Sequence, residues 1–297
     1  MHKASLKPSK KDVDALADLM PEMLAPPFHL LLPDRDSRCA DDRVICHTCT
    51  VSLPEGSFVK IGPGVFMASP ELCYVQLSTS MPFPAYVQLG YELCGEYRLR
   101  YGITGRASNA RALTSTRALG IFLGKAPRMK GNKNARRAQA FLCDGSKSPM
   151  ETDIAILLRF PVRMGGYGLS KPLLNRRYDV EKNRRSVLPQ AHFALDLYWP
   201  AAKIGLEYDS NERHGDTFAI AHDAIRRNGI EHCGIRVVTM TPQQAMDPIE
   251  FDRIGQMLSQ GTGKRPHSAT RDWAGKRMEL RDILFARFGN SRTHSIW

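Results

Sequence analysis

Two neighbouring apolar runs carry three carboxylates between them. Asp196 lies in Phe193-Ala194-Leu195-Asp196-Leu197-Tyr198, and Glu207 and Asp209 lie in Ile204-Gly205-Leu206-Glu207-Tyr208-Asp209. Acidic residues are poor strand formers, so acids inside β-type runs call for an explanation. Strand side chains alternate, which sends Glu207 and Asp209 to one face and Leu206 and Tyr208 to the other. A tight connection through Trp199-Pro200-Ala201-Ala202 can bring Asp196 to the same face as Glu207. Carboxylates gathered in one place repel one another unless a cation neutralises them. Oxygen-only donors of this kind suit Mg²⁺ or Mn²⁺. Such an ion activates water and offsets charge on a phosphate. The plainer alternative is a half-exposed strand with solvated acids.

Other groups fall into place around these three. His214 follows Asp209 by five residues and has the pKa range of a general base or leaving-group acid. It can equally be a surface-loop histidine. Asp223 and Arg227 are four apart on an expected helix, which suits an intrahelical ion pair. Arg227 can alternatively meet a phosphate or orient a site carboxylate. Trp199, next to Pro200, reads as turn packing or as a base-stacking wedge. Cys46-His47-Thr48-Cys49 contains one CxxC, which without a second pair is a weak metal signal.

The elements that must position these residues follow from periodicity and punctuation. Ser148-Pro149-Met150-Glu151 reads as a capping box with Pro at the first helical position, opening a helix through Ile154 and Leu158. Strands are expected near Arg176–Val180, His192–Tyr198 and Lys203–Asp209. A helix over about Thr217–Cys233 and a β-branched strand at Ile235–Met240 come next. The order α-β-β-β-α-β implies an α/β fold, a mixed sheet with helices packed on it. Upstream, a helix over about Lys10–Met23 precedes short strands at Arg43–Cys46, Ser57–Ile61 and Val65–Met67. Ser69-Pro70-Glu71 starts a further helix. Helices are also expected near Leu113–Leu123 and Asn134–Leu142, and the region before 148 reads as α+β.

Charge divides the chain. Residues 97–143 hold 11 Lys/Arg and no Asp or Glu, whereas residues 148–260 balance at 14 against 14. Clustered cations of that kind suit a polyanion, because phosphate neutralisation releases counterions. Lys125, Arg128, Lys130, Lys133, Arg136 and Arg137 are the expected phosphate contacts. The expected organisation is an N-terminal α+β region at 1–96, a basic helical segment at 97–147, a module at 148–260 and a basic tail at 261–297. Asp144-Gly145-Ser146-Lys147 reads as the linker. Seven cysteines at irregular spacing argue against a disulfide framework. The start Met-His-Lys-Ala-Ser lacks the apolar core of a secretory leader, and no run approaches a membrane span, so a cytoplasmic protein is expected.

These residues also resemble a known family. Asp196-Leu-Tyr-Trp-Pro, Ile204-Gly-Leu-Glu207-Tyr-Asp209, His214, Asp223 with Arg226 and Arg227, and Gly234-Ile-Arg-Val-Val recur in that order. Together they resemble the very-short-patch-repair (Vsr-like) branch of the PD-(D/E)XK nucleases, over roughly residues 148–241. The resemblance implies a restriction-endonuclease-like core in which Asp196 and Glu207 bind the metal. Glu151 would match an acid that some members add from the opening helix. Asp209 stands where many nucleases of the superfamily carry a catalytic Lys, as is usual in this branch, and Ser210 stands where a Gly commonly follows. The expected function is a Mg²⁺- or Mn²⁺-dependent DNA endonuclease or nickase, alone, as a homodimer or with a partner protein. RNA is not excluded as substrate. The alternatives are a non-catalytic DNA-binding regulator and a subunit of a larger nucleoprotein complex.

Overall fold

In the computed structural model, residues 7–19, 26–99, 107–180, 192–209, 217–264 and 271–286 are described, and the side chains of 19, 217–223 and 271 are not. The chain is a mixture of helices and several small sheets. In order its elements are α1 (Lys10–Leu19), β1 (Phe28–Leu32), β2 (Val44–Thr48), β3 (Phe58–Gly62), β4 (Val65–Ala68), α2 (Pro70–Leu77) and α3 (Phe83–Cys94). Then come β5 (Tyr97–Leu99), β6 (Ala107–Asn109), α4 (Thr116–Lys125), α5 (Asn132–Gln139), α6 (Pro149–Arg159), β7 (Leu173–Leu174), β8 (Arg177–Asp179) and β9 (His192–Ala194). The chain continues through β10 (Leu197–Trp199), β11 (Ile204–Tyr208), α7 (Thr217–His232), β12 (Arg236–Met240), α8 (Pro242–Met246), α9 (Pro248–Gly261) and α10 (Arg271–Phe285). No helix among the described residues is long and apolar enough to cross a membrane.

The largest sheet runs β12-β11-β10-β7. Its first pair is parallel, with Ile204 opposite Arg236 and Tyr208 opposite Met240. Its other pairs are antiparallel, with Leu197 opposite both Leu206 and Leu174. A parallel pair needs a crossover, and α7 supplies it between β11 and β12. The mixed sheet expected from the sequence is therefore present. The single strand expected over His192–Tyr198 is instead two, β9 and β10, interrupted at Leu195-Asp196.

The sheet buries both faces. Leu197, Trp199, Ile204, Leu206, Val238 and Met240 join one large core with helices α2 to α6, α9 and α10. Tyr198, Leu195, Ile230, Cys233 and Ile235 form a second, smaller core beneath α7. Gly205 is small because Leu195 crosses there: a Cβ would meet the leucine Cδ1 at 2.4 Å.

The main core does not stop at the expected linker. Leu142 and Cys143 belong to the same cluster as Ile154, Leu197 and Trp273. Ser146 is fully buried, and its Oγ bonds Ser148 O at 3.0 Å and Thr152 Oγ1 at 2.8 Å. Asp144 accepts from Thr116 N–H at 2.7 Å, which ties it to the start of α4. Residues 271–285, read as part of a basic tail, form a core helix. Trp273, Leu280 and Leu284 of α10 are buried, and the Trp273 indole donates to Gly166 O at 3.1 Å. Helix α3, at the centre of this core, carries Tyr86, Val87, Gly90, Tyr91 and Cys94 as its buried side. Its pattern was not read as a helix, because Pro84 and Gly90 break up a sequence that is apolar on most sides.

Candidate active site

Asp196 sits where the chain turns over. Leu195 and Leu197 are two apart and would share a face on a regular strand. Leu195 instead lies in the smaller core and Leu197 in the larger one. Asn175, between β7 and β8, holds the turnover: its N–H reaches Leu195 O at 3.0 Å and Asp196 O at 3.2 Å. The Asp196 carboxylate then faces β11, where Oδ2 accepts from Tyr208 N–H at 2.7 Å.

Glu151 comes from the first turn of α6 and is 7% exposed. Half of the expected capping box forms: Ser148 Oγ accepts from Glu151 N–H at 3.2 Å. The reciprocal bond to the cap residue's own N–H is replaced. The Glu151 carboxylate accepts from Lys147 N–H at 2.9 Å, Ser148 Oγ–H at 3.0 Å and Asn175 Nδ2–H at 2.5 Å. Asn175 also donates to Gly145 O at 3.1 Å and occupies the left-handed region at φ 47°. Asn tolerates that conformation better than most side chains. One asparagine therefore ties the opening helix, the residue 145 turn and the Asp196 turnover together. The reading of the sequence missed it. The signal was available as an Asn directly after an apolar pair, a common left-handed position.

Glu207 is on β11, on the Gly205 side of the sheet, which faces α7. Its Oε1 is 2.6 Å from the Arg226 guanidinium, with side chains 18% and 26% exposed. Arg226 also donates to Ala194 O at 2.6 Å, so it bridges β9 and β11. Arg226, Ile230 and Cys233 follow helical spacing, and the last two are buried under the sheet. Arg227, the arginine expected to act here, points the other way and is exposed. The physical signal lay in that stripe: position 226 lines up with both Ile230 and Cys233, whereas 227 lies about 120° around the helix from Cys233.

These groups act on one another electrostatically. Burial pushes the Asp196 carboxyl up, Glu151 and Glu207 push it further, and Tyr208 N–H and Arg226 pull it back, leaving it at about 7. Burial also raises Glu151, opposed by its bonds from Lys147, Asn175 and Ser148. Among the described residues, the three acids thus carry more negative charge than Arg226 and Lys147 offset. A carboxyl poised near neutral pH can carry a proton to or from a reacting group, or give its charge to a cation.

Three carboxylates are within electrostatic reach, but they are not gathered as a chelate. Among the described residues no set of three or more His, Cys, Asp and Glu side chains stands ready to hold a metal ion. The donor chemistry, oxygen only and undercompensated in charge, fits a hard divalent cation. Glu207 would have to exchange Arg226 for it.

The remaining expected residues are more dispersed. Asp209 lies just past the end of β11, exposed, with its N–H bonded to Met240 O at 2.9 Å. His214 lies outside the described residues, as does the Asp223 side chain. Trp199 is 2% exposed and donates to Ser170 O at 2.9 Å, so it is a packing residue and cannot act as a wedge. Lys125, Arg128, Lys130, Lys133, Arg136 and Arg137 are all exposed on α4, α5 and their connection. Two of them are partly engaged within the chain. Arg136 bonds Asn132 Oδ1 at 2.9 Å and Leu123 O at 2.7 Å, and the Arg137 guanidinium lies 4.3 Å from the Phe83 ring centre.

Compared with known proteins, the chain matches no family model, no curated protein and no solved structure.

Proposed function

We propose that the protein is a metal-dependent phosphodiesterase acting on DNA, an endonuclease or nickase with a restriction-endonuclease-like core. One observation carries the reading: Glu151, Asp196 and Glu207, from α6, the β9–β10 turnover and β11, converge in charge on a half-buried spot. Surface acids have no reason to meet there, since each costs desolvation and repels the others. The resemblance of the same residues to Vsr-like nucleases supports it.

In this reading Asp196 and Glu207 hold a divalent cation, with Glu151 bonded to Asn175 behind them. The cation supplies charge neutralisation at the scissile phosphate and a more acidic water. Asp196, poised near neutrality in its absence, loses its proton as the site loads. Arg226, 26% exposed in its pair with Glu207, would then turn part of its planar donor edge to the phosphate while it stays bonded to Ala194 O. The exposed cations of α4 and α5 bind the DNA backbone without reading sequence. RNA is a substrate open to the same chemistry.

The test is conversion of supercoiled plasmid with Mg²⁺, Mn²⁺ or EDTA. Wild type is expected to nick or linearise it only with metal, and the Asp196→Ala/Glu207→Ala protein to lose that activity. Equal cleavage by both proteins would falsify the site. One feature favours a second reading, a non-catalytic DNA-binding protein or complex subunit: the Glu207–Arg226 pair is complete without a cation. No cleavage, with salt-sensitive DNA binding that survives both substitutions, would establish that reading instead.

A further inference from the structure

A second constellation lies on β1 and β2, far along the chain from the carboxylates. The two strands pair in parallel, with His29 opposite Ile45 and His47 opposite Leu31. Alternation puts both histidines on one face. Their rings meet through His29 Nδ1 and His47 Nε2 at 2.8 Å, with centroids 5.0 Å apart and planes 11° apart. A nitrogen contact that short with centres that far apart means two rings meeting edge to edge in nearly one plane. Two face-to-face rings would have closer centres. One ring donates its N–H and the other accepts on a lone pair. Both rings are exposed.

We propose that His29 and His47 form a two-imidazole binding site for a late first-row divalent cation, Cu²⁺ before Ni²⁺ and Zn²⁺. An ion that takes both nitrogens displaces the shared proton and sits to one side of the N···N line, because 2.8 Å is shorter than two metal–nitrogen bonds laid end to end. Two nitrogens bound about 2.0–2.1 Å from one ion at a right angle are about 2.9 Å apart, whereas tetrahedral ligands are about 3.3 Å apart. The observed 2.8 Å is an ordinary hydrogen-bond length, and it lies near enough to the first value that rotation of the two rings alone brings both nitrogens onto one ion. The parallel ladder fixes the two strands relative to one another, so little backbone order is lost on binding. Exposure lets each ring turn its edge to the ion and lets water fill the other positions.

The ligand class follows from what is absent nearby. Among the described residues no third His, Cys, Asp or Glu completes a set with these two. Imidazole without carboxylate is a poor site for Mg²⁺ and a good one for Cu²⁺. The CxxC motif does not contribute. Cys46 is on the opposite face of β2, 3.9 Å from Cys39 Sγ, and Cys49 Sγ donates to Val51 O. The two-histidine site is therefore independent of the carboxylate site and of the nuclease reading.

The experiment titrates Cu²⁺ into the full chain by calorimetry and records the electron paramagnetic resonance spectrum of the loaded protein. All samples carry His2→Ala, so that this histidine adds no imidazole to the nitrogen pattern. The proposal expects one equivalent with coupling to two nitrogens, undisturbed by excess Mg²⁺. His29→Gln and His47→Gln, which keep hydrogen-bonding capacity, should each weaken binding at least tenfold. A double His29→Gln/His47→Gln protein that binds Cu²⁺ with the same affinity and nitrogen pattern overturns it. Proton NMR of the unsubstituted imidazoles guards against misfolding: sub-stoichiometric Cu²⁺ should broaden the His29 and His47 signals first, and broadening of other histidines first counts against the site.

Discussion

At the scale of residues, Asp196 makes the stability of the fold depend on pH. Its carboxyl is raised to about 7 by burial first and by Glu151 next. An unfolded aspartate titrates near 4, so between about pH 4 and pH 7 the native state binds the extra proton. Stability from this group is complete below the lower value and is lost as pH rises through the upper one. Chemical denaturation without divalent cations should show stability falling over that window, with a slope approaching about 1.4 kcal/mol per pH unit from this residue. Asp196→Asn should flatten the slope and stabilise the protein at pH 8; an unchanged slope would mean that another group titrates. Arg226 acts in the opposite direction. Arg226→Gln leaves Glu207 beside two other acids, and a loss of about 1–3 kcal/mol is expected. Mg²⁺ should raise the melting temperature of that variant more than it raises that of wild type. An equal rise in the two proteins would count against cation binding at Glu207.

At the scale of elements, α6 and the Asn175 turn position the site. Ser148 caps α6 through Glu151 N–H, and Ser148→Ala should cost about 1 kcal/mol in denaturant unfolding. Asn175→Gly keeps the left-handed backbone while deleting the bonds to Glu151 and Gly145 O. Under the nuclease reading it should lower the plasmid-cleavage rate even at temperatures where the variant stays folded, on top of the ~1–3 kcal/mol of stability that the lost bonds cost. A rate equal to wild type would show that Glu151 needs no positioning. Helices α4 and α5 make a separate contribution. They bury Leu119, Leu123, Ala135 and Ala138 and leave their cations outside. Replacing Lys125, Arg128, Lys130 and Lys133 together by Ala should flatten the dependence of log affinity for DNA on log salt by about 3–4, since each phosphate contact contributes about 0.9. Arg136 and Arg137, already bonded within the chain, should contribute less to that slope than the four others.

At the scale of the whole molecule, one large core runs from Leu72 on α2 to Phe285 on α10. Gln88 of α3 donates to Asp153 Oδ1 on α6 at 2.7 Å and to Leu284 O on α10 at 2.8 Å, which joins three regions of the sequence. Residues sharing a core unfold together. Leu157, fully buried in it, should cost about 2–5 kcal/mol on replacement by Ala, in a single calorimetric transition that takes α4 and β11 with it. Two resolved transitions would mean that the core divides. Residues 148–260 alone would expose the α6 face that meets α3 and α10, and circular dichroism of that fragment is expected to show loss of ordered structure.

Much of the sheet-bearing part was legible in the chain itself. Alternation marked β11 and β12, Ser148-Pro149 marked the start of α6, and Gly234 marked the end of α7, because these signals depend on local backbone sterics and capping. The acids that meet were also legible, since Asp196 and Glu207 are anomalies within apolar runs. Several features were not. The turnover at Asp196, the service of Asn175 to Glu151 and the fusion of α10 into the core all depend on groups distant in sequence. Each arises when packing forces a side chain or backbone N–H onto a partner that local propensity does not encode. Local physics selected the elements and the chemistry available to them. Only burial against remote partners decided which charges face one another, and with what proton affinity.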